Sequence, residues 1–183
     1  MTHLNRSTLP AGHLIGASAP ETTGIVHFGL GSFHRAHAAV YTALAMAAEP
    51  GEWGIIGVAN RSHRVTDAMA SQDFLYSVVT LDPGKEEVGV VDVHRRTLVA
   101  AEDAAEVLEA IADPRHKIVT LTISEGGYHL DARTGQLEIA SPEIVADLAD
   151  AEAPTSPLGQ LAHGLMLRHT QNGAPITVLS GRG

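Results

Sequence analysis

Short, nearly unbroken apolar runs alternate along this chain with segments of helical period. Ile25–Phe28, Trp53–Ala59 and Lys117–Ser124 are runs of the first kind, as expected of strands covered on both faces in a parallel sheet. Phe74–Leu81 instead alternates, and Asp82-Pro83-Gly84 supplies turn chemistry before Val88–Val93 and Thr97–Ala100. A hairpin on the sheet edge is therefore expected. Helical stretches are read at Phe33–Ala48, with Val40, Leu44 and Ala47 on one stripe and Glu49-Pro50-Gly51 ending it, and at Val65–Ala70. Ala101–Ala112 follows, with Glu102 and Asp103 in its first turn to suit the dipole. Pro142–Asp150 and Pro157–Gln171 complete the helices, and Pro175–Leu179 is a last strand. The alternation predicts an α/β fold: a doubly wound, mostly parallel sheet with helices on both faces and an antiparallel edge hairpin. Residues 1–23, rich in Thr, Ser, Pro, Gly and Ala, read as an arm, and residues 24–183 as the domain. The chain stops directly after a strand, where a ligand loop should start, so a fragment of a longer protein is expected.

Composition narrows the function classes. The 183 residues suffice for one domain with a real core. A net charge of −9 with twelve scattered basic residues argues against nucleic acid or an anionic membrane as partner. No apolar run approaches bilayer length, and the first two dozen residues lack the apolar segment of a secretory signal. There is no cysteine, hence no disulfide, thiolate metal site or cysteine nucleophile. A cytoplasmic address is the default expectation.

Candidate chemistry gathers at Ile25–Tyr41, IVHFGLGSFHRAHAAVY. An apolar strand turns sharply at Gly29-Leu30-Gly31 and enters a helical pattern, as the first unit of a dinucleotide-binding fold does. The first glycine would relieve a positive φ, and the second would let a pyrophosphate approach the main chain. The sixth position of the G-x-G-x-x-G fingerprint holds His34, so the match is partial. A tight strand-to-helix turn without a ligand is the competing reading. His34 and His37 lie one helical turn apart, but two imidazoles without a third ligand make a poor zinc site, and packed histidines are expected instead.

At the end of the second strand a carboxylate usually accepts the adenosine ribose hydroxyls. Here the sequence is Ala59-Asn60-Arg61-Ser62-His63-Arg64, with no acid. Asn60 and Ser62 can hydrogen-bond a ribose, and Arg61 and Arg64 could pair with a 2′-phosphate or simply face water. Glu125, followed by Gly126 and Gly127, stands past the end of another central strand, where open α/β sheets gather ligands. It is either a proton-handling carboxylate or a solvated loop residue.

Three blocks, HFGLGSFHRAHAAVY (27–41), QDFLYSV (72–78) and VTLTISEGGY (119–128), give the chain a resemblance to the polyol-specific long-chain dehydrogenases. These include the mannitol 2-dehydrogenases, fructuronate and tagaturonate reductases and arabinitol dehydrogenase. The likeness runs from about Gly24 to Ser180. It implies a Rossmann-type cofactor domain, NAD as cofactor with NADP as the alternative, no metal, and hydride transfer between a sugar polyol and a ketose. Gly29, Leu30, Gly31, Ser32 and Phe33 would form the pyrophosphate turn; beside it the residues themselves offer Arg35 to a phosphate, Asn60 and Ser62 to the ribose and Arg61 to a 2′-phosphate. Glu125 would assist proton movement to and from a catalytic lysine. After PITVLS the family continues with a Cys-Asp-Asn segment, whereas this chain has Gly181-Arg182-Gly183. The lysine, asparagine and histidine of the family's C-terminal catalytic motif have no counterpart here. The resemblance therefore implies the cofactor half of an enzyme, inactive without a C-terminal catalytic domain as partner. A uronate reductase and a non-catalytic NAD(H)-binding module are the rival readings.

Overall fold

A computed structural model describes residues 4–181. The first three residues of the expected arm, and Arg182 and Gly183 at the end of the expected domain, lie outside the described residues. In chain order the elements are β1 (Thr23–Phe28), α1 (Ser32–Ala36), α2 (Ala38–Ala48), β2 (Gly54–Ala59) and α3 (His63–Ala70). Then come β3 (Tyr76–Asp82), β4 (Lys85–Val91), β5 (His94–Val99), α4 (Ala104–Ala112) and β6 (Ile118–Leu121). A 3-10 turn (Glu125–Tyr128), α5 (Pro142–Ala149), α6 (Pro157–Gln171) and β7 (Thr177–Ser180) complete the chain.

Five parallel strands form the main sheet in the order β5-β2-β1-β6-β7. β1 and β2, apolar almost throughout, are buried along nearly their whole length. Successive side chains of each strand point to opposite faces, so the sheet separates two cores. Ile25 and Ile55 join Ala39, Ala43 and Met46 of α2, Met69 of α3 and Val91 on one side. Val26, Phe28, Ile56 and Val58 join Val107 and Ile111 of α4 on the other, backed by Leu161 and Leu165 of α6. The doubly wound α/β architecture is as the sequence predicts. Among the described residues, no helix is long and apolar enough to cross a membrane.

Two local expectations are corrected. The stretch Phe33–Ala48 is not one helix: it breaks at His37, with φ −123° and ψ −83°, into a five-residue α1 and an eleven-residue α2. The break tucks His34 inward while α2 lays Ala39, Ala43 and Met46 on the sheet. The β3–β4 hairpin forms in full register from Tyr76 opposite Val91 to Asp82 opposite Lys85, but as a separate two-stranded sheet. Two features hold it off the main sheet. The buried Asp92 receives both terminal nitrogens of Arg6 (2.9 and 3.0 Å) and Nη1 of Arg95 (2.7 Å), fixing a corner between β4 and β5. The N-terminal segment then takes β4's free edge, Ile15 N donating to Val90 O and Val90 N to His13 O.

Arg168 ties the far end of the sheet together. It is 2% exposed, and its guanidinium donates to five backbone carbonyls: Ala174 (2.7 Å), Ile111 (2.9 Å), Asp113 (2.7 Å), His116 (3.1 Å) and Pro175 (3.0 Å). Two of these belong to the C-terminal end of α4, whose last carbonyls have no helical partner. Removing the fork would strand several buried acceptors at once, each costing about 1–3 kcal/mol. Arg168→Met is therefore expected to lower unfolding free energy by at least about 3 kcal/mol, measured by urea titration followed by circular dichroism. A change below about 1 kcal/mol would show that water serves those carbonyls equally well.

Candidate dinucleotide site

The sheet order places the site. From β1 the chain moves to β2 and then β5 on one side, and returns through α4 to β6 on the other. The crevice at the carboxyl ends of β1 and β6 is thus the topological switch point, where open α/β sheets bind ligands. The turn after β1 and the loop after β6 line it, bringing Gly29–Phe33 and Glu125 to one end of the sheet.

The two glycines of the turn serve different ends. Gly29 has φ +99°, and a Cβ built on it would lie 2.2 Å from the carbonyl oxygen of Thr122. Its lack of a side chain is demanded by the chain's own packing. Gly31 has φ −83° and ψ 178°, extended backbone open to any residue. A Cβ there would meet only Gly29 O, at 3.9 Å. The fold does not need that glycine, and the space a side chain would occupy there is open.

Around the turn, Gly29 N donates to Val58 O (2.9 Å), Gly31 N to Gly29 O (2.6 Å) and Thr122 Oγ1 to Gly29 O (3.1 Å). The first helical bond is Arg35 N to Gly31 O, so the N–H groups of Ser32, Phe33 and His34 precede the helical ladder. Because α1 has only five residues, these N–H groups rather than a long helix dipole are what the turn offers an anion. Arg35 folds back over the turn, Nε to Gly31 O and Nη2 to Ser32 Oγ, each at 3.3 Å. Ser32 is exposed, and the half-exposed Phe33 stacks on His37 with ring centroids 4.6 Å apart. Leu30 is buried instead of facing a ligand.

At the end of β2, Asn60 and Arg61 are exposed and Ser62 caps α3, its Oγ accepting from Arg64 N at 3.3 Å. The fold supplies the carboxylates the local sequence lacks. Glu143 of α5 stands 3.7 Å from Arg61, and Glu102, after β5, accepts from His63 at 2.7 Å, which holds that imidazole above its ordinary pKa. Glu125 opens the 3-10 turn after β6 and faces solvent. The two histidines weighed as a metal pair part company: His34 is buried, while His37 is exposed with Nδ1 on Phe33 O.

Beneath the turn lies a group that the sequence does not reveal. His27 of β1 and His34 of α1 are stacked, centroids 3.4 Å apart and planes at 14°, and His34 Nε2 meets Nε2 of His94, on β5, at 3.0 Å. All three are at most 1% exposed. Burial drives His27 down to about 4 and His94 to about 3, and His34 lower still. The one available signal was a histidine inside an otherwise apolar central strand.

Comparison with known proteins agrees with this geometry. The family description "Mannitol dehydrogenase Rossmann domain" matches residues 23–181. The chain belongs to that family. It is 40% identical to a mannitol 2-dehydrogenase of Cereibacter sphaeroides over 162 residues, covering 87% of this chain and 34% of that protein. It is 37% identical to a polyol:NADP oxidoreductase of Gluconobacter oxydans, covering 86% of this chain and 33% of that protein. The structure superposes with a TM-score of 0.90 and 34% identity on Pseudomonas fluorescens mannitol 2-dehydrogenase in ternary complex with NAD and D-mannitol. That match covers 99% of this chain and 39% of the other. The chain thus spans about a third of the length of the relatives it matches.

In this Rossmann domain, Gly29→Ala combines a left-handed backbone with a clash against backbone and is expected to destabilise the fold by about 3 kcal/mol. Thermal unfolding measures this. A melting temperature equal to that of the parent chain would mean that the Thr122 strand end gives way freely.

Proposed function

We propose that this chain is the cofactor half of a cytoplasmic NAD(P)-dependent dehydrogenase that interconverts a sugar polyol and a ketose. The observation that carries the reading is Gly31: at the switch point, in extended backbone, it leaves space that the chain itself does not use. A bound nicotinamide would accept or return hydride at C4. The N–H groups of Ser32–His34 would hold its pyrophosphate, with Arg35 above. Asn60, Arg61 and the Ser62 hydroxyl would meet the adenosine ribose. Glu125, exposed at the mouth of the same crevice, would pass a proton to or from a base contributed by the rest of the enzyme. The polyol, and a second domain carrying that base, are its proposed partners.

Glu143 beside Arg61 and Glu102 beside His63 favour NAD over NADP, since both would repel a 2′-phosphate. The NAD bound in the Pseudomonas fluorescens enzyme supports the same choice, whereas the Gluconobacter oxydans relative is named for NADP. Calorimetric titration with NADH and, separately, NADPH is expected to show saturable binding, tighter for NADH. No binding by a chain that circular dichroism shows to be folded would overturn the cofactor reading, and tighter NADPH would overturn the choice of NAD. Gly31→Val should abolish binding while leaving the melting temperature unchanged, because its side chain enters the ligand's space and not the core. Undiminished affinity in that variant would remove the turn from the site.

A further inference from the structure

The three buried histidines are more than packing, and what they touch says why. Gly29 O is the innermost atom of the dinucleotide turn. It accepts from Gly31 N and Thr122 Oγ1, and His27 Nε2 reaches it at 3.2 Å. A carbonyl offers no proton, so Nε2 of His27 carries one, which also reaches Thr122 Oγ1 at 3.0 Å. Nδ1 is then the acceptor for the hydroxyl of Thr120 at 2.6 Å. These contacts fix one tautomer of a neutral ring, with its proton pointing at the turn.

The neighbours oppose a charge on that ring. His34 stacks on its face, and His34 and His94 share a single proton between facing Nε2 atoms. The charged groups that bear on the stack are cations: Arg35 of α1, whose guanidinium carbon lies 5.9 Å from the Tyr76 ring centroid, and Arg95 of β5. From β3, Tyr76 comes within 5.7 Å of the His94 ring and donates its hydroxyl to Arg35 O, its own ionisation pushed up by burial. From β6 come only the hydroxyls of Thr120 and, just beyond, Thr122. The carboxylate at this corner, Asp92, is taken up by Arg6 and Arg95.

We propose that His27 is a positioning residue for the dinucleotide turn, and that the turn keeps its binding shape only while the His27–His34–His94 stack is uncharged, so that cofactor binding is linked to proton release from the stack. This rests on the dinucleotide reading above. The sign follows from linkage: groups whose ordinary value lies near 6.5 and which are depressed in the folded turn favour its folded shape above about pH 6.5. That preference is lost progressively as acid is added towards the depressed values.

The test is titration of the whole chain with ADP-ribose, which carries the pyrophosphate and is stable in acid, at steps between about pH 8 and about pH 4.5. Far-UV circular dichroism is recorded at each step. The dissociation constant is expected to rise at least about tenfold across that range, while the dichroism still reports a folded chain. His27→Gln, whose amide can offer Gly29 O a donor without titrating, should bind within about threefold of the parent at the upper pH and follow a shallower pH profile. His27→Phe should lose at least about tenfold in affinity at every pH.

Binding at pH 8 that persists unchanged into acid overturns the proposal and leaves the dinucleotide reading standing. So does affinity lost only where the chain itself unfolds, or a folded His27→Phe with parental affinity. Absence of binding at any pH overturns both. Independently of ligand, nitrogen NMR of the imidazoles should show His27 protonated at Nε2 alone, and a proton at Nδ1 instead would overturn the assignment.

Discussion

The site depends on one close approach, that of Gly29 to the end of β6. With a Cβ excluded by Thr122 O, the turn settles directly against the neighbouring strand, and Thr122 bonds back to it through both its main chain and its hydroxyl. This couples the two loops that flank the switch point. The next glycine, Gly31, lies on the open side of the turn, where a Cβ would meet only Gly29 O, at 3.9 Å. A single steric constraint inside the protein thus creates the open space outside it.

The architecture was legible because it is written in burial. Strands covered on both faces must be apolar throughout, and Ile25–Phe28 and Trp53–Ala59 are so except where His27 interrupts them. Turn chemistry also read true: Asp82-Pro83-Gly84 closes the hairpin it predicts. What local pattern could not show is where a hairpin goes. That is decided by Asp92, which pairs with its near neighbour Arg95 and with Arg6, 86 residues away, and so sets the corner between β4 and β5. The break at His37 escaped for a similar reason. An alanine-rich segment has helical propensity through its length, and only the burial of His34 against His94, sixty residues away, divides it.

The site was legible in its backbone and less so in its charges. A glycine turn is local, so its position at the end of β1 could be read directly, whereas its partners Val58, Thr122 and His27 could not. The surroundings of Asn60–Ser62 are assembled from three separate segments. No acid follows β2 in sequence, yet Glu143 and Glu102 arrive from α5 and from the loop after β5. A reading confined to residues 59–64 finds ribose partners in Asn60 and Ser62 but no acid, and so leaves a 2′-phosphate open. In the folded chain Arg61 and His63 each have a carboxylate beside them, which changes what Arg61 attracts.

Three imidazoles beneath the glycine turn call for a physical reason, since apolar side chains of similar size would fill the volume without the cost of burying polar atoms. Nδ1 of His34 and of His94 find no hydrogen-bond partner among the described residues, so the stack gives up part of the stability a hydrocarbon core would provide. A polar ring does what a hydrocarbon cannot. It directs a proton at a chosen carbonyl, here Gly29 O, and so orients a peptide plane from below. Thr120 and Thr122 fix which nitrogen carries that proton, and His34, packed on the ring face and held by His94, fixes the tilt of the plane. Orientation of this kind requires neutrality, because a charged stack would repel itself and the cations around it. The same burial that makes the stack costly is what keeps it neutral, so the geometry of the turn and the protonation of the core beneath it cannot be varied separately.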